Sequence, residues 1–296
     1  MLAGSFGHPL PMQALSAVPP SPVLRDVSIR GVRLRFLEAG EGPAVILVHG
    51  YLASHTTWEG VIGPLAERFH VIAPDLPGFG ESEKPPPSRY PYTLEAFAES
   101  LVDLMVALGV NRAAVVGQRL GSAVALTMAL AHTDVVERLV LVSPDLLPHK
   151  SSPWERAATT PVVGGVIFKQ LAGKRLFLRY LDPLREPTTA ARERVDDWFL
   201  AFNAPAAREA AHAAMLSVQD TRPLLARLGR AAVPTLVCAG ARDDAGRLGR
   251  VRQLSRELSR GRLTLFETGT SPEEETPAEF ATAVASFLAA PTSRRG

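Results

Sequence analysis

Short apolar runs alternate with amphipathic stretches along most of the chain, and the two periods separate strands from helices. From Val23 to Leu37 apolar and polar positions alternate about Gly31, which predicts a hairpin of two antiparallel strands. Ala44 to Val48 (AVILV) is a continuous apolar run, the pattern of a strand buried on both faces of a parallel sheet. Thr57 to Arg68 reads as a helix and Phe69 to Ala73 as the next strand. Pro74 to Ser82 (PDLPGFGES) reads as a structured loop, and Thr93 to Leu108 as an amphipathic helix capped by Thr93. A strand from Ala113 to Val116 then runs through Gly117-Gln118-Arg119-Leu120-Gly121 into small and apolar residues at helical spacing, Ser122 to Leu130. Further strands are predicted at Glu137 to Val142, Val233 to Ala239 and Leu263 to Phe266. A helix lies between the last two, and a final helix runs from Pro277 to Ala289.

Strands and helices that alternate in this way predict an α/β fold: a mostly parallel central sheet with helices on both faces. Such sheets bind ligands outside the carboxyl ends of their strands, where His49, Arg119, Asp145, Asp243 and Thr270 are expected to gather. Residues 145–226 lose the β-branched runs and read as an inserted helical cap, so the core comprises 23–144 and 227–290. Residues 1–22 lack a basic segment and hold five prolines, which predicts a flexible tail and no secretory signal.

A chain of 296 residues with 46% hydrophobic content can bury one such domain. A net charge of +2 without a basic run gives no reason to expect nucleic acid. The single cysteine, Cys238, lies in an apolar strand and reads as filler. No apolar stretch reaches the roughly 18 to 20 residues of a membrane span. The expectation is therefore a cytoplasmic monomer or homodimer, with no cofactor, no metal, and a small-molecule ligand whose candidates include carboxylates.

The chemistry concentrates at the glycine-flanked turn. Glycines on either side of one residue let the chain reverse sharply and hold the middle side chain out at the sheet's top edge. That residue is Arg119, and a guanidinium, which has donors only and stays protonated, neither attacks nor accepts a proton.

His49-Gly50, Pro74 to Ser82, Gly117-Gln118-Arg119-Leu120-Gly121, Gly240-Ala241-Arg242-Asp243 and Gly269-Thr270-Ser271-Pro272 follow one another in an order that resembles the α/β-hydrolase superfamily. The likeness covers roughly residues 23–290. It is nearest to the branch of small-molecule esterases, C–C hydrolases, haloalkane dehalogenases and epoxide hydrolases. The resemblance implies a nucleophile at position 119, an acid at Asp243 and a histidine at position 270, and the last is Thr270 here. It also implies an oxyanion hole from the backbone N–H groups of Tyr51 and Leu120, with His49, Gly50 and Gln118 around it. Two members of the triad are thus replaced, and loss of the nucleophile alone costs a hydrolase on the order of a million-fold.

Arg119 has two readings: an internal ion pair with Asp243 or Asp145, or a clamp for a ligand anion beside a helix N-terminus. His49 reads as structural, and Asp75 as a tie to loop N–H groups. His55 sits on a loop that rims the site. His149 and His212 are candidates for a substitute base, and Ser122 is a small packing residue. Glu273, Glu274 and Glu275 read as a solvated acidic face. Three functions stay open: a catalytically silent binding protein; a lyase, isomerase, cyclase or decarboxylase working through Arg119 and the oxyanion hole; and a hydrolase with a displaced triad.

Overall fold

The computed structural model describes residues 21–147, 159–166, 173–175 and 189–291. Most of the predicted tail, together with His149, Trp154, Phe168, Phe177 and Tyr180, lies outside the described residues. Eight strands form one sheet: β1 (Val23–Ile29), β2 (Val32–Ala39), β3 (Ala44–Val48), β4 (His70–Pro74), β5 (Ala113–Gln118), β6 (Val136–Val142), β7 (Thr235–Gly240) and β8 (Gly261–Phe266). Their order is β1-β2-β4-β3-β5-β6-β7-β8. β1 and β2 are antiparallel to their neighbours, and every other pairing is parallel.

The predicted hairpin is present, and its turn follows from local geometry. Arg30 and Gly31 both have positive φ (49° and 78°), which matches the twist of the strands they join. Alternate residues of the central strands face opposite layers. Ile46, Val48, Val115 and Leu141 pack on one side with α2 (Leu94–Ala107) and α3 (Leu120–Ala131). Val45, Leu47, Val116 and Val142 pack on the other with α1 (Glu59–Ala66) and Phe280. Both faces are therefore covered, as the continuous apolar runs require.

Several boundaries shift by one or two residues from expectation, β7 among them, which starts at Thr235 and not Val233, and two of the shifts have a local cause. The helix predicted from Thr57 opens as a 3₁₀ turn at His55–Trp58, because the Ser54 hydroxyl already accepts the Thr56 N–H (3.3 Å); the α-helical part is only α1. β8 starts at Gly261, two residues before the predicted Leu263. As the outer strand of the sheet it is only partly buried, so its apolar signal is weak.

Thr93 caps α2 as predicted, its Oγ1 accepting the Ala96 N–H at 3.2 Å. Thr93→Ala should lower stability by about 1 kcal/mol in urea unfolding, and no change would mean that the cap contributes nothing.

Between β6 and β7 the described chain is helical: α4 (Pro161–Val166), α5 (Thr189–Phe202), α6 (Pro205–Ser217) and α7 (Arg222–Leu225). α5 and α6 are tied to the loop after β3. Trp198 Nε1 donates to Ser54 Oγ (3.0 Å) and Thr56 Oγ1 (2.8 Å), and the Tyr51 hydroxyl donates to the Ala211 carbonyl (2.8 Å). After β7 come α8 (Ala245–Glu257), α9 (Pro272–Glu275) and α10 (Pro277–Ala289). Among the described residues no helix is long and apolar enough to cross a membrane.

Candidate functional site

β5 delivers Arg119 to the carboxyl edge of the sheet with φ 51° and ψ −106°. A non-glycine residue in this region costs on the order of 1–3 kcal/mol, and the surroundings hold it there. The Arg119 N–H donates to the Val142 carbonyl (3.0 Å), and its own carbonyl accepts the Ser122 N–H (3.0 Å). A Cβ at Gly121 would run into the Val48 carbonyl, so only glycine lets α3 start this close to β3. Ser122 does more than pack, since its Oγ donates to Gly117 O (2.6 Å) and Val142 O (3.3 Å) across the elbow. Leu52 and Ser143, just beyond β3 and β6, also have positive φ (61° and 44°), so three non-glycine strains gather at this one edge.

The two acids expected to neutralise this arginine have other partners. Asp145 Oδ1 lies 3.1 Å from Arg250 Nη2. Asp243 Oδ1 lies 3.5 Å from Arg247 Nη1 and accepts the Asp244 N–H at 2.6 Å. The predicted pairing of Arg119 with either carboxylate is therefore corrected: α8 carries Arg247 and Arg250 on one face, one turn apart, and they take both acids. Among the described residues no carboxylate forms an ion pair with Arg119, and its Nε is buried without a hydrogen-bond partner. Burial holds the guanidinium below its ordinary value and Arg247 pushes the same way, against Asp145, Glu273 and Asp243. The Asp243 carboxyl is raised by burial, which its neighbours Arg247 and the Asp244 N–H only partly offset.

The acidic triplet is a second correction, because it is not a solvated face. Glu273 is 1% exposed, and neither carboxyl oxygen has a hydrogen-bond partner. The Glu274 side chain is 4% exposed and pairs with Arg194 of α5 at 3.4 Å. Only Glu275 reaches solvent, and it turns back to accept the N–H groups of Gly269 (2.8 Å) and Ser271 (3.2 Å). A one-turn helix started by Pro272 lays the first two glutamates inward. Burial, reinforced by Glu274, raises Glu273 to about 8 against the pull of its own backbone N–H, Arg119 and Gln118, so it holds its proton at neutral pH. The Gln118 amide approaches this carboxyl; its Oε1 has no partner and fills the space in front of Gly50.

The remaining predicted residues fall into place around this cluster. His49 is buried, accepts the Leu76 N–H at Nε2 (3.0 Å) and donates from Nδ1 to the Gly50 carbonyl (2.7 Å). Both nitrogens are thus committed, and burial lowers its pKa. Leu120 opens α3, and among the described residues its N–H donates to no acceptor outside that helix. Thr270 is buried, and its carbonyl accepts the Ser143 hydroxyl. Asp75 takes the N–H groups of His55 (2.6 Å) and Glu81 (2.7 Å) and pairs with His55 Nδ1 at 2.9 Å. Burial opposes both charges, yet the mutual bond outweighs it, so the acid is lowered and the histidine raised. His55 is therefore a buried structural partner. His212 is buried on α6, and Gly165 lies beside it. Cys238 is buried on β7 with its thiol raised by burial, which leaves no thiolate. Among the described residues no group of three or more histidines, cysteines or acids is placed to hold a metal ion.

Arg247, Arg250 and Glu273 were not among the expected site residues. The i, i+4 spacing of Asp243 and Arg247 was the available signal for one of them.

A profile described as alpha/beta hydrolase fold matches residues 43–163. An uncharacterized protein of Mycobacterium tuberculosis is 30% identical over 298 residues, covering 90% of this chain and 81% of that protein. A soluble epoxide hydrolase of a Corynebacterium species is 38% identical over 120 residues, 40% of each chain. Among solved structures, a putative acyltransferase from Salmonella enterica superposes with a TM-score of 0.80 at 26% identity, covering 92% of this chain and 96% of that one.

Proposed function

Since this chain belongs to the α/β-hydrolase superfamily, we propose that it holds a small ligand bearing a carboxylate or similar anion at the elbow, without forming a covalent intermediate. In this reading residues 145–226 form a cap over the site, positions 119 and 270 have lost the nucleophile and the histidine, and Asp243 keeps the acid's place. The backbone donors of Tyr51 and Leu120 persist, because they do not depend on side chains. The observation that carries the reading is the half-buried Arg119, which forms no ion pair among the described residues. A cation in such a place is costly until an anion meets it. Similarity to a soluble epoxide hydrolase supports a ligand of small-molecule size. In this reading the protein is cytoplasmic and acts as a monomer or homodimer.

A second reading, a non-hydrolytic enzyme such as a lyase or decarboxylase, is favoured by one observation. Glu273 is a buried carboxyl whose oxygens have no hydrogen-bond partner, burial favours its protonated form, and proton transfer needs such a group.

A fluorophosphonate probe should leave the chain unlabelled, and native mass spectrometry should find a small anion that is absent from Arg119→Ala. A phosphonylated residue at the elbow edge would overturn the non-covalent reading, and an anion kept by the variant would overturn the role of Arg119.

A further inference from the structure

Among the described residues Arg119 Nε, Gln118 Oε1 and both oxygens of Glu273 are buried at this edge without a hydrogen-bond partner, as are Arg247 Nη1 and Arg250 Nε of the neighbouring ion pairs. A buried polar group without a partner costs about 1–3 kcal/mol, and native proteins rarely keep several together unless something completes them. The charges around them are otherwise matched, Asp243 with Arg247, Asp145 with Arg250 and Glu274 with Arg194. Among the described residues the positive charge without an ion pair here is that of Arg119.

We propose that Glu273 is the proton-bearing half of the anion site: its carboxyl O–H donates to one oxygen of a ligand carboxylate whose charge is met by Arg119. The proposal rests on the anion-holding reading above and adds a second residue to it. The alternatives are weaker on chemistry. Water would satisfy the donors and leave the charge of Arg119 unanswered. A cation is repelled by it. A carboxylate carries one negative charge and two acceptor oxygens, which suit one guanidinium and one carboxylic acid. Were Glu273 ionised, it would repel the same ligand, so binding requires its proton. The groups that act on Glu273 are Arg119 and Gln118 from the elbow, Glu274 from its own helix and the neutral Cys238 thiol from β7; Arg194 of α5 acts through Glu274. Burial and Glu274 favour the protonated form, and its own backbone N–H, Arg119 and Gln118 oppose it.

Calorimetric titration with benzoate, a probe carboxylate ionised throughout pH 6.5 to 9.5, tests this. Wild-type affinity should fall about tenfold per pH unit above about pH 8, with close to one proton taken up per benzoate bound at pH 9, read from two buffers of different ionisation enthalpy. Glu273→Gln keeps a neutral donor, so it should bind with no pH slope and no proton uptake. Arg119→Ala should lose binding at every pH. A wild-type slope retained in Glu273→Gln overturns the assignment of Glu273 and leaves the anion reading standing. Benzoate that fails to bind the wild type, or binds Arg119→Ala equally well, overturns the anion reading itself. Should Glu273→Gln fail to fold, the glutamate carboxyl resonance of the wild type decides: it must stay protonated to higher pH with benzoate bound, and an unmoved titration overturns the proposal.

Discussion

Arg119→Ser combined with Thr270→His is expected to give a slow esterase. The positive φ at position 119 already holds a side chain out from the strand end, and the hydrogen bonds of Ser122 to Gly117 and Val142 keep that turn in place. Leu120 N–H has no acceptor outside its own helix among the described residues, so it can meet an oxyanion. Asp243 can orient the new histidine, although Arg247 competes for its carboxylate. Release of 4-nitrophenol from its acetate should rise on the order of a thousandfold over wild type, well short of the million-fold that a complete machinery supplies. A fluorophosphonate should then add its mass to the peptide that carries the introduced serine. Arg119→Ser alone should stay near background, since nothing takes the hydroxyl proton. A folded double variant with wild-type rates would mean that the edge no longer has hydrolytic geometry.

Glu273→Gln is expected to be the more stable protein at neutral pH, by a margin that depends on pH. In the unfolded chain a glutamate ionises near its ordinary 4.5, whereas the buried pair of Glu273 and Glu274 keeps a proton to about 8. Between these values the native state binds one proton more than the unfolded state, so wild-type stability falls by about 1.4 kcal/mol per pH unit as pH rises. The contribution is intact below about 4.5 and fully lost above about 8. Glutamine has no proton to lose, so its advantage at pH 7 should be on the order of 3 kcal/mol. Urea unfolding of both proteins at pH 5, 7 and 9 measures the gap, and parallel pH profiles would show that Glu273 ionises normally.

What the sequence disclosed and what it hid divide along the range of the interactions. The hairpin about Gly31, the buried strands and the elbow at Arg119 depend on neighbours a few residues away, where periodicity and glycine placement are direct signals. The partner of Arg119 depends on which helix face meets the sheet edge, and α8 brought two arginines that took the acids first. The burial of Glu273 is harder still: three consecutive glutamates look like a solvent-facing run. Only the packing of α9 against β7 and α1, and Arg194 reaching from α5, turn two of them inward.

Tyr51 has two duties, and they concern the same bond network. Its backbone N–H belongs to the loop expected to meet an oxyanion, while its phenol fastens that loop to α6 through Ala211. Any separation of α6 from the sheet edge would break this tether and free the loop that carries that N–H.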